Sequence, residues 1–503
     1  MPAEGPGGDV PNSSPQAPSD APAGASRGRL SQQRGALARA ALITGSASLA
    51  VLLPFALQLL PVTWARSTYG DAYRLFEFFG LSGLLLVACL VALDARAVRG
   101  RSAADLAPTL LFAAVALHWL FIVSEYSWKA ADFESYLVGA RAVLAGRSPY
   151  PGPYIYPPLL AHALGLALRA VLWVAARLGP ELAVEEGWAV VFYLYQCGQY
   201  LAILAAYRLT ATFAARLGFS PLVSSLLTAA LFLVNNPLLR TVRHDQVNVF
   251  VLLTVLGSIL ILDTRPAAAG ALVALGGHLK LLPFALALPL VLTRRWRALA
   301  GAAVASVGIV AAELAAGVPW SVFAGFLDYL SDPKRGLALR DNSIHSLIAN
   351  VISVVSGVGP GETLEAAAAR LKLAAAPYAF AATAAVLLWF AVRVWRYLRA
   401  ARPQPAGMTM EHPLATALAM EMIGLMLVAS PVVWEHHFVL AIPLALWVAA
   451  LRGRDRPVAV LVAAGLVFWV PTFDLFPLSY HRLAGLVTML LLVTPPSRSA
   501  TMR

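Results

Sequence analysis

Apolar runs of about twenty residues recur, with short polar breaks, from about residue 38 to residue 494. A helix of that length spans the hydrocarbon core of a bilayer, which is about 30 Å thick. Hydrophobic residues make up 59% of the 503 residues and charged residues only 13%, whereas soluble domains contain about 25% charged residues. This composition excludes a soluble globular fold. The sequence predicts an all-α integral membrane protein that crosses the bilayer many times.

One of the apolar runs is interrupted. The run 267–292 is broken between Gly276 and Lys280 and again at Pro283, so two short re-entrant helices with an outward tip are predicted there. Because the parity of 157–187 stays open, we expect roughly 12 to 15 transmembrane helices. The predicted runs lie near 38–62, 74–94, 106–124, 157–178, 188–208, 220–235, 246–262, 267–292, 298–317, 374–396, 412–430, 436–451, 457–473 and 480–494.

The chain divides into a short tail and one membrane domain. Residues 1–33 are rich in proline, glycine, serine and alanine, and they cannot bury enough apolar surface to fold, so a disordered cytoplasmic tail is predicted. Residues 34–497 form the predicted polytopic membrane domain. Within it, extra N-terminal helices occupy 34–104 and precede a core at 105–497.

Arginine clusters indicate which way the chain is inserted. The formal net charge is +12, and the clusters flank apolar runs, which is the pattern of the positive-inside rule and not of nucleic-acid binding. We therefore predict a multi-pass protein of the cell membrane that has no nucleic-acid partner. The Asp132 loop, the 319–345 loop and the turns at 430–437 and 473–480 are predicted to face the outside. The predicted cytoplasmic clusters are Arg27 to Arg39, Arg96 to Arg101, Arg294 to Arg297, Arg393 to Arg402 and Arg452 to Arg456.

The predicted outer loops are rich in carboxylate, cationic and imidazole side chains. Each has an ordinary alternative, since a loop carboxylate is usually only solvated and a lysine at a membrane surface often snorkels to the headgroups. Together, however, they suit an enzyme that uses a lipid-phosphate-linked donor, which needs a base for the attacking hydroxyl and cations for the departing phosphate. Asp132 suits the base, and His436 or His437 could hold the phosphate or share the proton transfer. The cations available are Lys280, Arg243, Arg147 and Arg340.

The other predicted substrate-binding residues lie in the same outer loops. No metal site is predicted there, because the adjacent His436 and His437 would diverge by about 100° on a helix. No cofactor is predicted either. These further substrate-binding residues are Glu134, Tyr136, Tyr156, Gln246, Asn248, Asn342, His345, Trp434 and Glu435.

Several motifs lie along the predicted outer segments: Asp132-Phe133 with Tyr150 and Tyr156-Pro157-Pro158, Asp245-Gln246-Val247-Asn248, Gly270 through Lys280 to Pro283, Asn342-Ser343, and Ser430-Pro431 with Trp434-Glu435-His436-His437. These motifs resemble those of glycosyltransferase family 87, a branch of the polytopic GT-C enzymes. The resemblance covers roughly residues 105–495. Asp245 stands where that family usually has glycine, and Val433 replaces a serine.

This resemblance implies a GT-C-like helix bundle that transfers a hexose, most often mannose, from a polyprenyl-phosphate donor to a lipid or glycan acceptor on the outer face. It also implies an inverting single displacement with Asp132 as the base and His436 or His437 as a partner. Two alternatives remain open, an arabinofuranosyltransferase of the same fold and a transporter or flippase of a lipid-linked sugar. A transporter would place a polar cluster at the bilayer midplane, and the sequence contains no matching inward set.

Overall fold

The computed structural model describes residues 103–125, 131–179, 182–331, 341–356, 364–399, 407–470 and 476–493. The predicted tail at 1–33, the predicted helices within 34–102 and Arg340 lie outside these residues. The division of the chain at 33/34 and 104/105 therefore stays a prediction. Within the described ranges every regular element is a helix and none is a strand, which confirms the all-α fold class.

Seventeen α-helices can be numbered in the described part of the chain. Short 3-10 helices at Leu282–Leu286, Glu435–Ala441 and Leu478–Tyr480 and a π-helical turn at Gly465–Trp469 join some of them. The α-helices are α1 (Ala103–Glu125), α2 (Ala131–Leu144), α3 (Pro158–Leu178), α4 (Val184–Arg216), α5 (Pro221–Leu233), α6 (Asn236–Arg243), α7 (Asn248–Ile261), α8 (Pro266–Leu279), α9 (Ala287–Leu292), α10 (Trp296–Ala315), α11 (Trp320–Ser331), α12 (Ile344–Ser356), α13 (Leu364–Arg399), α14 (Pro413–Ala429), α15 (Ile442–Arg452), α16 (Pro457–Ala464) and α17 (His481–Leu492).

Several described helices have the length and composition of membrane spans. Four qualify individually, namely α3, α4, α10 and the Leu373–Arg399 part of α13. The pair α5 and α6 qualifies as a fifth if its 49° bend lies within one span. The other apolar helices among the described residues have 10 to 17 residues. The protein is therefore an integral membrane protein, and the total of roughly 12 to 15 spans stays a prediction.

Proline and glycine set several helix boundaries. Helices α3, α5, α8, α14 and α16 each begin with a proline, whose missing N–H would have no partner in a first turn anyway. Gly179 ends α3 with φ of 104°, a left-handed conformation that glycine adopts without a steric penalty. These helices therefore begin close to the positions that the apolar runs indicated.

The predicted break in the run 267–292 is confirmed. Helix α8 ends at Leu279, and Lys280 adopts an extended conformation with φ of −159° and ψ of 126°. The 3-10 helix Leu282–Leu286 and the short α9 then complete the run. An extended residue at this point carries the Lys280 side chain away from the helix axis and toward the neighbouring α7.

Burial separates an inner group of segments from a peripheral one. Helices α6 and α7 and the 3-10 helix Glu435–Ala441 consist almost entirely of buried residues. In contrast, only 11% of the apolar stretch of α10 and 17% of the apolar stretch of α13 are buried inside the protein. These two helices therefore present most of their surface to lipid. Polar residues of the predicted outer loops, such as Asn248, Glu435 and His436, therefore belong to this inner group.

Candidate active site

A chain of hydrogen bonds connects Asp132 at the start of α2 to the loop before α3. The Gln246 side-chain amide donates from Nε2 to Asp132 Oδ2 at 2.6 Å. The hydroxyl of Tyr156 donates to Gln246 Oε1 at 2.8 Å. Burial raises the pKa of Tyr156, so its hydroxyl stays protonated and remains a donor. The Tyr156 hydroxyl donates to the Gln246 amide oxygen, so the Gln246 amide nitrogen must face Asp132.

Asp132 remains accessible although its carboxylate is oriented. Its side chain is 39% exposed, which leaves room for a substrate to reach it. Among the described residues, the only hydrogen bond to its carboxylate comes from Gln246 and reaches Oδ2. The other oxygen, Oδ1, is therefore available to accept a proton from a bound hydroxyl.

His244 adjoins the same carboxylate. Its Nδ1 lies 3.8 Å from Asp132 Oδ2, too far for a hydrogen bond, and its Nε2 lies 3.4 Å from Arg240 Nη1. Burial lowers the pKa of His244, and the positive charge of Arg240 lowers it further. These effects favour the neutral imidazole, which contributes a polar surface beside Asp132.

Lys280 extends toward the site from the break after α8. Its Nζ donates to Asn248 Oδ1 at 2.8 Å and lies 5.5 Å from the centre of the Tyr156 ring. That ring also packs edge-on against Tyr136, with centroids 5.1 Å apart. The ammonium group is thus held by an amide oxygen and an aromatic face, and among the described residues no carboxylate forms an ion pair with it.

Glu435, which precedes the two histidines in the sequence, forms a buried charge cluster with two arginines. Glu435 Oε1 is 2.5 Å from Arg240 Nε, and Glu435 Oε2 is 3.6 Å from Arg482 Nη1. All three side chains are buried, and that of Arg482 is fully inaccessible. Two guanidinium groups therefore contact one carboxylate in a low-dielectric environment.

His436 and His437 lie at the start of the 3-10 helix Glu435–Ala441. Each is only 7% exposed, and their rings meet edge-to-face with centroids 4.6 Å apart. The centre of the His436 ring is 6.3 Å from that of His244. The backbone carbonyl of His436 also accepts a hydrogen bond from Thr241 Oγ1 at 3.4 Å. The Trp434-Glu-His-His turn is therefore joined to the end of α6.

The segment before α12 docks on the same turn. The backbone N–H of Asn342 donates to the Val433 carbonyl at 2.7 Å, and Asp341 Oδ1 accepts from the Ser343 backbone at 2.7 Å. Burial raises the pKa of Asp341 to about 7. Asn342 Oδ1 is buried and accepts no hydrogen bond from the described residues, so it is available to a hydroxyl of a ligand.

The conformation of Asp245 explains the glycine that the family usually has there. Asp245 has φ of 52°, a left-handed conformation that aspartate tolerates better than most other side chains. Its carboxylate accepts from Gln196 Nε2 at 3.2 Å, and its carbonyl accepts from the Tyr195 hydroxyl at 2.6 Å. The sharp turn between α6 and α7 is therefore preserved with aspartate, and it directs Gln246 toward Asp132.

The structure brings many predicted site residues together and leaves two apart. Glu134 and Arg147 are exposed, and among the described residues neither side chain forms a hydrogen bond or an ion pair. Arg243 and His345 are partly buried near His244 and Asn342, and Trp434 is partly buried next to Glu435. The residues that belong to the connected network are Asp132, Tyr136, Tyr156, Gln246, Asn248, Lys280, Asn342, Glu435, His436 and His437.

Sequence reasoning did not assign three members of the network to the site. Arg240, His244 and Arg482 lie in predicted outer segments, but their contacts depend on partners far along the chain, such as Glu435 for both arginines. The sequence signal that could have identified these three residues was their position beside apolar segments. Arg482 is a charged residue at the first turn of an apolar helix, where charge is costly unless it is paired.

The fold and the site together define a membrane-embedded enzyme with a reachable carboxylate surrounded by buried cations and imidazoles. The sequence model of "Glycosyltransferase family 87" matches residues 154–431, which is more than half of the chain. The protein therefore belongs to glycosyltransferase family 87 and is a glycosyltransferase. The matched stretch contains Gln246, Asn248, Lys280 and Asn342, whereas Asp132 and the two histidines lie just outside it.

Relatives with assigned names are similar over most of their length. The chain is 26% identical, over 73% of its own length and 83% of the relative's, to a polyprenol-phosphate-mannose-dependent alpha-(1-2)-phosphatidylinositol mannoside mannosyltransferase of Mycolicibacterium smegmatis. It is 27% identical, over 69% of its own length and 73% of the relative's, to a polyprenol-phosphate-mannose-dependent alpha-(1-2)-phosphatidylinositol pentamannoside mannosyltransferase of Mycobacterium tuberculosis.

Proposed function

We propose that this glycosyltransferase moves mannose from polyprenyl-phosphate-mannose to a hydroxyl of a glycolipid acceptor on the outer face of the cell membrane. The named relatives use a polyprenol-phosphate-mannose donor and phosphatidylinositol mannoside acceptors, which supports both the donor and the acceptor class. The observation that carries the proposal is the state of Asp132. This carboxylate is fixed by Gln246 and 39% exposed, and one of its oxygens accepts no hydrogen bond among the described residues.

In the proposed reaction the acceptor oxygen attacks the anomeric carbon of mannose as Asp132 Oδ1 removes the hydroxyl proton. The bond from that carbon to the phosphate oxygen breaks, and the phosphate leaves with the electron pair. One such displacement inverts the anomeric carbon, so a β-linked donor gives an α-linked product. General-base catalysis of this kind contributes about 10²–10⁴-fold to a rate.

The cations of the site are suited to the departing phosphate. Lys280 carries no paired carboxylate among the described residues, and Arg240 and Arg482 both contact Glu435. The two guanidinium groups lie in a largely buried environment, where positive charge stabilises a developing phosphate anion more strongly than it would in water. His436 and His437 lie beside these groups and are proposed to hydrogen-bond the phosphate oxygens.

The first experiment compares wild type with Asp132→Asn. Asparagine has nearly the same shape and keeps the contact with Gln246, but it cannot accept a proton as a base. We expect transfer of radiolabelled mannose from polyprenyl-phosphate-mannose to glycolipids in purified membranes to fall about 10²–10⁴-fold. Cleavage of the labelled donor distinguishes a glycosyltransferase from a flippase, because a flippase would move the labelled lipid across the membrane without breaking the bond between sugar and phosphate.

Glu185→Gln is the matched control. Glu185 is an exposed carboxylate at the start of α4 whose partner is Arg141, so its neutralisation should leave transfer unchanged. Wild-type transfer by Asp132→Asn, with normal abundance of the protein in the membrane, would rule out Asp132 as the base. Intact donor in every sample, together with movement across the bilayer, would rule out the glycosyl transfer itself.

A further inference from the structure

We propose that Asp263, Glu411 and His412 form a binding site for a divalent transition-metal ion of the zinc class. Asp263 follows the C-terminal end of α7, whereas Asn248 of the candidate active site begins that helix. The fourteen residues between the two ends of α7 place these sites about 21 Å apart. The proposed site is therefore separate from the catalytic residues and does not depend on the proposed reaction.

The three side chains offer the ligand atoms that zinc prefers. A ligand atom from each residue lies within 4.8 Å of the other two, counting carboxylate oxygens of Asp263 and Glu411 and a ring nitrogen of His412. Imidazole nitrogen and carboxylate oxygen are common zinc ligands, whereas magnesium prefers oxygen alone. This combination of donors favours zinc over magnesium.

The separation of Asp263 and His412 is compatible with two ligands of one ion. His412 Nε2 lies 3.4 Å from Asp263 Oδ1, which is longer than a usual N–H···O bond of about 2.7–3.2 Å. Two ligands that are each about 2.0–2.1 Å from a tetrahedral zinc ion lie about 3.4 Å apart. Glu411 is exposed, so its side chain is free to rotate and complete the set.

The backbone around the site is held in place. The Glu411 N–H donates to Asp263 Oδ2 at 3.2 Å, which leaves Oδ1 directed at His412. Two residues earlier, the Thr409 N–H donates to the Arg216 carbonyl at 2.9 Å. The Asp263 side chain is only 9% exposed, so its position changes little before an ion binds. Because these ligand groups are already held in place, binding of an ion costs less conformational entropy.

A cavity of about 340 Å³ adjoins the ligands and provides room for a fourth one. Its wall includes Glu411 and His412 and also Arg294 and Arg295. Arg294 has φ of 57°, a costly conformation for a residue other than glycine. Because two guanidinium groups would repel a bare cation, we expect the fourth ligand to be an anion or hydroxide. A bound ion would fasten the turn after α7 to the start of α14.

The test is zinc titration of the full-length protein in detergent, purified with an affinity tag that contains no histidine and stripped with a chelator. We expect calorimetry to find about one zinc ion per chain that Asp263→Asn and His412→Ala both abolish. Zinc should also raise the melting temperature of the wild type and not that of either variant, because an ion that binds only the folded state stabilises it. Magnesium should do neither.

Asp455→Asn is the matched control, since Asp455 is an exposed carboxylate in another turn of the same predicted face. It should bind zinc as the wild type does. Glu411→Gln, which changes an exposed side chain and should not impair folding, is expected to weaken binding at least tenfold. Equal zinc binding by the wild type and by folded Asp263→Asn, His412→Ala and Glu411→Gln would overturn the proposal.

Discussion

Glu435 shows how unequal the members of one buried charge cluster are. Removing Arg482 leaves Glu435 paired with Arg240, whereas removing Glu435 takes the shared carboxylate from both guanidinium groups. Loss of one partner from a buried ion pair typically costs about 3–5 kcal/mol. Each arginine is more than nine-tenths buried, so water does not compensate for the lost partner.

We therefore predict that Glu435→Met destabilises the protein by about 3–5 kcal/mol and that Arg482→Met destabilises it less. Thermal unfolding of the detergent-solubilised variants, followed by tryptophan fluorescence, gives the order directly. Simultaneous replacement of Glu435, Arg240 and Arg482 by apolar residues should recover part of the stability that Glu435→Met loses. A larger loss for Arg482→Met than for Glu435→Met would contradict this account of the cluster.

Individual residues were predictable by chemical type but not by partner. Asp132, Lys280 and the histidines could be selected because charge and imidazole are rare among these apolar runs. The bond from Gln246 to Asp132 joins residues 114 positions apart, so no local pattern could assign the amide its orienting role. Whether those selected residues act as proposed stays a prediction.

At the level of helices, two glycines determine how closely α8 and α10 approach each other. A Cβ on Gly270 would lie 1.7 Å from the Ala298 carbonyl oxygen, and one on Gly301 would lie 2.1 Å from the Ala267 carbonyl oxygen. Both obstacles are backbone atoms, which cannot move aside as a flexible side chain can. Small residues allow this backbone-to-backbone contact, a common means of association between helices in membranes.

Gly301→Val should therefore separate the two helices and destabilise the protein by about 3 kcal/mol. Gly308→Val is an internal control in the same helix, because a Cβ at Gly308 meets no atom within 4 Å. The melting temperature in detergent should fall for the first variant and stay close to wild type for the second. Equal effects would mean that helix propensity, and not the close contact, is responsible.

Helix interruptions were easier to predict than helix lengths. The glycine pair before His278 and the later Pro283 marked the break at Lys280, because glycine and proline act locally on the backbone. Helix α13, in contrast, extends over Leu364–Arg399, whereas its apolar run covers only 374–396. Its first turns contain charged residues that end an apolar run without ending a helix, since arginine, lysine and glutamate are good helix formers.

For the molecule as a whole, the orientation in the bilayer rests on the distribution of arginines. Arg393 was counted with a cytoplasmic cluster, but its side chain is 2% exposed and binds Glu421 Oε1 at 2.6 Å. It also donates to the Leu490 carbonyl at 2.8 Å. One member of the cluster therefore joins helices together, a role that sequence could not reveal because the partner lies on another helix.

The orientation can be tested by labelling single cysteines in intact cells. In a background in which Cys89 and Cys197 are replaced by serine, Pro151→Cys should react with a membrane-impermeant maleimide and Arg454→Cys should not. Both positions are exposed, so a difference reports sidedness and not burial. Permeabilised cells, in which both should react, provide the control. Labelling of Arg454→Cys alone would reverse the proposed placement of the active site.

For the proposed reaction, the two buried guanidinium groups beside Glu435 have a consequence for turnover. The cations that draw the phosphate away from the sugar also retain it once the bond is broken, since the lipid phosphate then carries more negative charge than the donor did. Such an enzyme is occupied for part of each catalytic cycle by the polyprenyl phosphate that remains after the sugar has been transferred. We therefore expect free polyprenyl phosphate to compete with the donor, so that release of the spent carrier sets the pace of the proposed mannose transfer.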